Sequence, residues 1–337
     1  MKLRGLPDSY RMRPVTLNDV EGAVALINAH LLEQLGEAWL EGGDLRAEWE
    51  MPGRDLGDSV RVVETPDGGL VGYVELWDLE PHVRVHVHAY VHPGFRGQGI
   101  GTALCQWVEG RARQAIAKAP SDARVTMDQS ALSTDSAARD LLERQGYQPI
   151  RSSYEMVIEM DAPPPEPAVP AGITIRPYIP GQEEDAVLLA ERDAFRDHWG
   201  YIDQPLEEDR ERQRHWIAND PRYDPSLWFV AMDDGVVAGV SLCCLRAAGV
   251  PEVGYVDSLA VRRPWRRRGV GLSLLHHSFG EFYRRGTRKV WLGVDAQSLT
   301  GATRLYEKAG MRVERQYIDY IKELRPGIDR STQSLEE

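Results

Sequence analysis

Arg266-Arg267-Arg268-Gly269-Val270-Gly271 joins an apolar stretch, VGYVDSLAV (253–261), to an amphipathic run, GVGLSLLHHSFGEFYRRG (269–286). The junction reads as strand, glycine turn, helix. Glycine has no Cβ, so its backbone curls tightly and lets a ligand approach closely. The first N–H groups of a helix have no partner within it, and the aligned peptide dipoles favour negative charge there. A diphosphate suits such a site. One Gly-x-Gly is a weak signal. Here the same pattern recurs as Arg96-Gly97-Gln98-Gly99-Ile100-Gly101, between VRVHVHAYV (83–91) and GIGTALCQWVEGRARQAIAKA (99–119).

Working outward from these loops, the two halves of the chain overlay. The first runs YRMRPV, a helical NDVEGAVALINAHLLEQLG, two strands around a Pro-Asp-Gly-Gly turn, the strand at 83–91, the loop and its helix. It closes with ARVTMD, the helical DSAARDLLERQG and the strand SYEMVIEM (153–160). The second repeats that order with ITIRPY, EEDAVLLAERDAF, LWFVAMDDGVVAGVSLCCL, the strand at 253–261, the loop and helix, KVWLGVD, TGATRLYEKAG and RQYIDYIKEL (315–324). Helices start at Asn18 and Asp135 and stop at Gly146 and Gly310, as helix-end chemistry expects. Between the halves lies DAPPPEPAVPAG, a proline-rich stretch that reads as an extended linker. The expected organisation is an α+β domain at 1–160, a linker at 161–172, a second α+β domain at 173–326 and a polar tail at 327–337.

Composition narrows the function. Of 337 residues, 42% are hydrophobic and 27% charged, enough to bury a sizeable core. A formal net charge of −12 argues against a nucleic-acid partner, which needs a basic face. No apolar run approaches the roughly 20 residues that span a bilayer, and MKLRGLPDSYRMRP lacks the apolar region of a secretory signal. Three cysteines, Cys105 and the adjacent Cys243 and Cys244, make neither a disulfide framework nor a metal site. A soluble, cytoplasmic protein without nucleic-acid or membrane partners is expected.

Arg-x-x-Gly-x-Gly after a fourth strand resembles motif A of the GNAT acetyltransferase superfamily. Leu305-Tyr306-Glu307-Lys308-Ala309-Gly310-Met311 and Leu141-Leu142-Glu143-Arg144-Gln145-Gly146-Tyr147 resemble its motif B. The resemblance covers nearly the whole chain, and the tandem arrangement is similar in architecture to the mycothiol synthase family. It implies two domains, each a mixed, mostly antiparallel central sheet flanked by helices, with acetyl-CoA as the donor. It also implies that fourth-strand backbone groups pair with the pantetheine arm: Leu259, Ala260 and Val261 in the second half, and Ala89, Tyr90 and Val91 in the first. The loops themselves, Arg266 to Gly271 and Arg96 to Gly101, would hold the diphosphate. Guanidinium suits phosphate, so one or two of Arg262, Arg263, Arg266, Arg267 and Arg268 are expected on the ligand. Many family members carry an asparagine before the motif B helix; this chain has Gln297-Ser298-Leu299-Thr300, where Ser298 is the candidate replacement.

Acetyl transfer to an amine needs a proton acceptor and gains from a donor to the departing thiolate. Asp257, twelve positions before Gly269, stands where the resemblance implies a carboxylate base. By strand alternation it shares a face with Tyr255 and Leu259. Tyr306 stands where the resemblance implies the acid, and a phenol is protonated at neutral pH. The same count in the first half reaches Val87 and Leu142, which move no protons. That half therefore reads as catalytically degenerate, structural or cofactor-binding. His86 and His88, on one strand face with Arg84, read as a hydrogen-bonded surface rather than as a base pair or metal ligands, and no metal is expected. The aromatic loop with His198, Trp199 and Tyr201 is the candidate acceptor wall. The reading is an acetyl-CoA-dependent N-acetyltransferase acting on a small-molecule amine, with the second half catalytic and the tandem pair making a monomer. A mycothiol-synthase-like role is its narrower form; a non-catalytic acyl-CoA-binding sensor or scaffold is the alternative.

Overall fold

The computed structural model describes residues 5–38, 40–247 and 252–335. In chain order the elements are β1 (Arg11–Pro14), α1 (Val20–Leu35), α2 (Gly42–Trp49), α3 (Leu56–Ser59), β2 (Val60–Glu64), β3 (Leu70–Asp78), β4 (Arg84–Val91), α4 (Ile100–Ala112), α5 (Ala115–Lys118), β5 (Val125–Leu132), α6 (Ser136–Arg144) and β6 (Gln148–Glu159). The second half supplies β7 (Ile173–Pro177), α7 (Glu184–Phe195), α8 (Leu206–Asn219), β8 (Tyr223–Asp233), β9 (Val236–Cys244), β10 (Val253–Val261), α9 (Val270–Arg284), β11 (Lys289–Asp295), α10 (Ala302–Lys308) and β12 (Arg312–Arg325). Among the described residues no helix is long and apolar enough to cross a membrane.

Helices form where apolar residues recur at helical spacing. In α1, Val20, Ala23, Leu26, Ile27 and Leu31 make the buried stripe. In α9 the stripe is Val270, Ser273, Leu274, Leu275, Ser278, Phe279 and Phe282. Asp135 caps α6 by accepting from the Ala138 N–H at 2.9 Å.

The chain divides into two compact units, Met1–Arg151 with Tyr317–Arg330, and Ser152–Gln316 with Ser331–Glu337. In the first, strands neighbour in the order β1-β2-β3-β4-β5-β12; in the second, β7-β8-β9-β10-β11-β6. Pairing is antiparallel apart from β4 with β5 and β10 with β11, so each sheet is mixed and mostly antiparallel. Both parallel pairs are short. β4 and β5 stay in register only from Arg84–Thr126 to His86–Asp128, and β10 and β11 only from Val253–Lys289 to Tyr255–Trp291. Beyond those points the strands part, and each sheet opens into a fork.

The closing strands differ from the sequence expectation. SYEMVIEM does not close the first unit: its residues 153–159 pair with β11 in the second. Tyr317 to Arg325 of β12 instead pair with β5 in the first. The physical reason is side-chain burial. Met156 and Ile158 enter the core around Leu274, Phe279 and Phe282, while the fully buried Tyr320 accepts from Arg139 and donates to Glu143. Two-residue alternation fixes which face is buried but not which sheet the strand joins. The expected boundary at 160 therefore moves to 151. A fragment spanning 173–326 lacks the strand that covers β11, whereas 152–316 keeps it. In urea unfolding followed by near-UV circular dichroism, 152–316 is expected to show a cooperative transition and 173–326 to show none.

Candidate active site

The fork of the second unit is shaped by a β-bulge. Tyr255 and Val256 oppose Cys244 and Cys243, Ser258 opposes Leu242, and Asp257 is the extra residue between them. Gly254 faces Phe282 of α9 and Val256 packs in the same core. Beyond the bulge the faces exchange: Leu259 packs on the α9 side and Ala260 on the α7 side with Val187 and Ala190. Asp257 therefore does not share a face with Leu259, as plain alternation had it. The bulge turns both Asp257 and Ser258 toward Glu191 of α7.

Backbone direction follows the same register. The Arg262 N–H bonds Ala238 O at 3.0 Å, so alternation along the antiparallel pair turns the backbone of Ala260 toward β9 and that of Leu259 and Val261 into the fork. In the first unit the His92 N–H bonds Val71 O, and Tyr90 is likewise turned toward β3, leaving Ala89 and Val91 facing the fork. Ala260 and Tyr90 are thus corrected: their backbone groups serve the sheet. The Val261 carbonyl also accepts from Arg266 Nε at 2.9 Å.

The glycine loop has the geometry its sequence implies. Gly269 and Gly99 are left-handed, with φ of 90° and 80°, at the N-caps of α9 and α4. Val270 and Ile100 are buried, so those positions present only backbone amides outward. A Cβ on Gly271 would lie 3.1 Å from Leu305, and one on Gly101 2.7 Å from Leu141. The second glycine of each pair therefore lets the helix seat closely on the motif B helix. Left-handed turns, orphan amides and fork-facing backbone together fit a diphosphate followed by an extended pantetheine arm.

The arginines are placed differently from the expectation. Arg263 and Arg266 both engage Asp197, which is 3% exposed, and Arg266 Nη2 also donates to Ala194 O at 2.9 Å. Arg262 pairs with Asp193 at 2.7 Å, and Arg268 lies 3.6 Å from Asp233. Arg262, Arg263 and Arg266 thus fasten the loop to the C-terminal turn of α7 and the residues after it. Arg267, at φ 59°, is exposed on the loop. In the first unit Arg96 reaches Glu33 at 2.6 Å and Tyr10 donates to Gln98 at 2.8 Å. Gly97 is left-handed there, as Arg267 is in the second loop, and Gly5 packs on Gly99 so tightly that a Cβ would overlap its carbonyl. The linker behaves similarly: Ser273 Oγ donates to Ala168 O at 2.8 Å beside Gly269.

A cavity of about 160 Å³ opens where β10 and β11 part. Asp257, Leu259, His198, Trp199, Ser298 and Tyr306 all line it, so six of the predicted residues, from four separate segments, meet here. Tyr201 is turned away, its hydroxyl donating to Asp203 at 2.9 Å. Ser298 Oγ lies 3.1 Å from Thr300 Oγ1 and accepts from the Ala302 N–H at 3.3 Å, which places it at the start of α10. Burial holds the His198 imidazole below its ordinary value, helped by the charge of Arg266, so the ring is neutral at pH 7. Burial pushes the Tyr306 phenol up to about 12, which keeps its proton in place. Asp257 is reached through the cavity but crowded by protein, and burial raises its carboxyl; Arg222 opposes this and Asp220 adds to it.

Glu191 was not found from the sequence. Burial raises its carboxyl to about 7; Ser258 opposes the shift and the charge of Asp257 adds to it. A single acid in an amphipathic helix looks like any surface glutamate. The available signal was the adjacent polar pair Asp257-Ser258, which interrupts VGYVDSLAV and marks the bulge. In the first unit β4 pairs with β3 without a bulge, from Gly72–Val91 to Asp78–Val85. Counting back from the glycines therefore lands on Val87, a buried core residue, while the exposed side chains on the other face of β4 are His86 and His88. Leu142 is buried, as a packing residue should be. Among the described residues no group of three or more His, Cys, Asp or Glu is placed to hold a metal.

Known proteins carry the same arrangement. A profile of the Acetyltransferase (GNAT) family matches residues 188–311, and one of the Acetyltransferase (GNAT) domain matches residues 57–149. Mycothiol acetyltransferase of Salinispora arenicola is 31% identical over 269 residues, covering 77% of this chain and 80% of its own. The chain belongs to the GNAT acetyltransferase family. It is an N-acetyltransferase whose donor is an acyl-CoA. Mycothiol acetyltransferase of Streptomyces coelicolor is 30% identical over 74% of this chain and 76% of its own. A GCN5-related N-acetyltransferase from Sphaerobacter thermophilus superposes with a TM-score of 0.78 at 37% identity, over 96% of this chain and 98% of that one. A tandem GNAT protein from the clavulanic acid biosynthesis pathway shares the fold, with a TM-score of 0.67 at 17% identity over 95% and 100%.

Asp197 is the buried carboxylate that both Arg263 and Arg266 engage. Asp197→Ala is expected to cost about 2–3 kcal/mol in urea denaturation, below the range for a fully buried pair because Arg263 is half exposed. It is also expected to weaken acetyl-CoA binding in calorimetry.

Proposed function

We propose that the second unit transfers the acetyl group to the amine of a small molecule, with Asp257 and Tyr306 as its proton-transfer residues. The observation that carries this reading is their meeting in one cavity at the fork. Acyl-CoA, when bound, supplies an acyl carbon activated by its thioester. Gly269 to Gly271 and the fork-facing backbone of Leu259 and Val261 would hold it, while Gly97 to Gly101 with Ala89 and Val91 offer the corresponding groups in the first unit. Asp257, freed from sheet pairing by the bulge, accepts the proton that the acceptor nitrogen sheds. Glu191 of α7 lies close enough for the charge of Asp257 to add to the rise of its own carboxyl. Tyr306 holds a proton for the departing sulfur. Neutral His198 and the Trp199 ring wall the acceptor side. The curated relatives named mycothiol acetyltransferase, alike over most of their length, favour an acceptor of that class as the narrower reading.

Thiol release from acetyl-CoA across a panel of amines tests this. Tyr306→Phe is expected to lower kcat by about ten- to a thousandfold with the dissociation constant for acetyl-CoA unchanged; wild-type turnover in that variant overturns the acid assignment. A carboxylate accepts a proton only when ionised, and burial raises that of Asp257, so kcat/KM is expected to fall on the acid side with a midpoint above the ordinary aspartate value of ~3.9. In Glu191→Gln that acid limb is expected to move to lower pH. An unchanged profile removes Glu191 from the mechanism.

A further inference from the structure

The first unit's fork carries its own oriented base. His88 lies two residues past His86–Asp128, the last paired position of β4 and β5, just as Asp257 lies two past Tyr255–Trp291. Its side chain is 57% exposed, and its Nδ1 lies 3.1 Å from Glu75 Oε1. Glu75, only 3% exposed, is held from behind: Oε2 accepts from Arg54 Nη2 at 2.6 Å and from the Tyr73 hydroxyl at 2.9 Å. Trp49 Nε1 donates to that hydroxyl at 3.1 Å, and Arg54 stacks 4.0 Å over Trp77. An ionised carboxylate only accepts, so His88 carries its hydrogen on Nδ1 and presents the Nε2 lone pair outward. Burying Glu75 and Arg54 together is costly compared with apolar packing, and this arrangement gives the pair a use.

We propose that the first unit is a second acyl-transfer centre, in which His88 Nε2 accepts a proton from a small amine. The proposal rests on the reading that the first glycine loop also holds acyl-CoA. As the amine nitrogen bonds the acyl carbon and the carbon–sulfur bond breaks, the nitrogen's proton passes to Nε2. It then passes to the sulfur, leaving an amide, a free thiol and a neutral imidazole. Leu142 stands where the second unit has Tyr306, so the imidazolium is the proton donor here. Glu75, Arg54 and Tyr73 are positioning residues. The titratable groups facing His88 are Glu75 of β3, Glu48 of α2 and Asp128 of β5, with Arg54 of the loop after α2 behind Glu75. Partial desolvation lowers its imidazole, and the contact with Glu75 outweighs that and raises it.

The test uses the full chain. Diethyl pyrocarbonate acylates a neutral imidazole nitrogen, and peptide mapping follows His88 itself. Saturating CoA is expected to slow its modification at least tenfold; no protection overturns the proposal. A second arm silences the other unit with Asp257→Asn and Tyr306→Phe together. Residual thiol release dependent on acetyl-CoA and amine is expected, rising with pH through a midpoint above the usual imidazole value of ~6.5. Adding His88→Gln is expected to lower it at least tenfold at unchanged melting temperature. A residual rate that is absent, or indifferent to His88, overturns the proposal. If the doubly substituted protein instead matches wild type and the rate falls only with His88→Gln, the second-unit reading fails while this one stands.

Discussion

Two parallel strands that begin in register and then separate leave backbone donors and acceptors without sheet partners, and this is the constraint around which each unit is organised. Inside a protein such groups need a partner or water. In the second unit the parting follows Tyr255 and Trp291, and the vacated edge is lined by Leu259 and Val261. An extended ligand segment satisfies that edge as a strand would. The turn past the end of β10 then delivers the chain to α9 with its amides facing outward. One separation thus brings an open strand edge and the amides of a helix start into a single line.

Around that edge the charges divide into two kinds. The arginines Arg262, Arg263 and Arg266 after β10 direct hydrogen bonds to Asp193 and Asp197, which fastens the loop to α7 and the residues after it. The carboxylates Asp257 and Glu191 have weaker compensation, so burial raises both. Groups whose charge is well paired hold the scaffold, and the carboxyls whose charge is poorly paired lie at the cavity and the helix beside it.

Much of this was legible from residue order. Paired glycine turns, strand alternation and helix caps gave the α+β repeat, and Tyr306 fell on the cavity from its motif alone. The bulge did not show, because a single inserted residue leaves composition unchanged while reversing every side chain beyond it. That slip made Val87 look like the counterpart of Asp257 and concealed His88. RVHVHAYV alternates cleanly, whereas the Asp257-Ser258 pair breaks the alternation, and that contrast was the readable difference. The partners of the arginines were hidden for another reason: Asp193 and Asp197 lie about 70 residues earlier in the chain, and nothing local links them.

The exchanged closing strands set the order in which this chain can mature on the ribosome. β5 gains its outer neighbour only when Tyr317 to Arg325 have been made, after nearly all of the second unit. Until then the nascent first half carries an unpaired edge, the kind of surface that invites wrong pairing. SYEMVIEM, already synthesised and alternating in the same way, is the nearest strand able to fill that gap. The sheet of the first unit is therefore complete only once the residues that follow the second unit's last helix have been made.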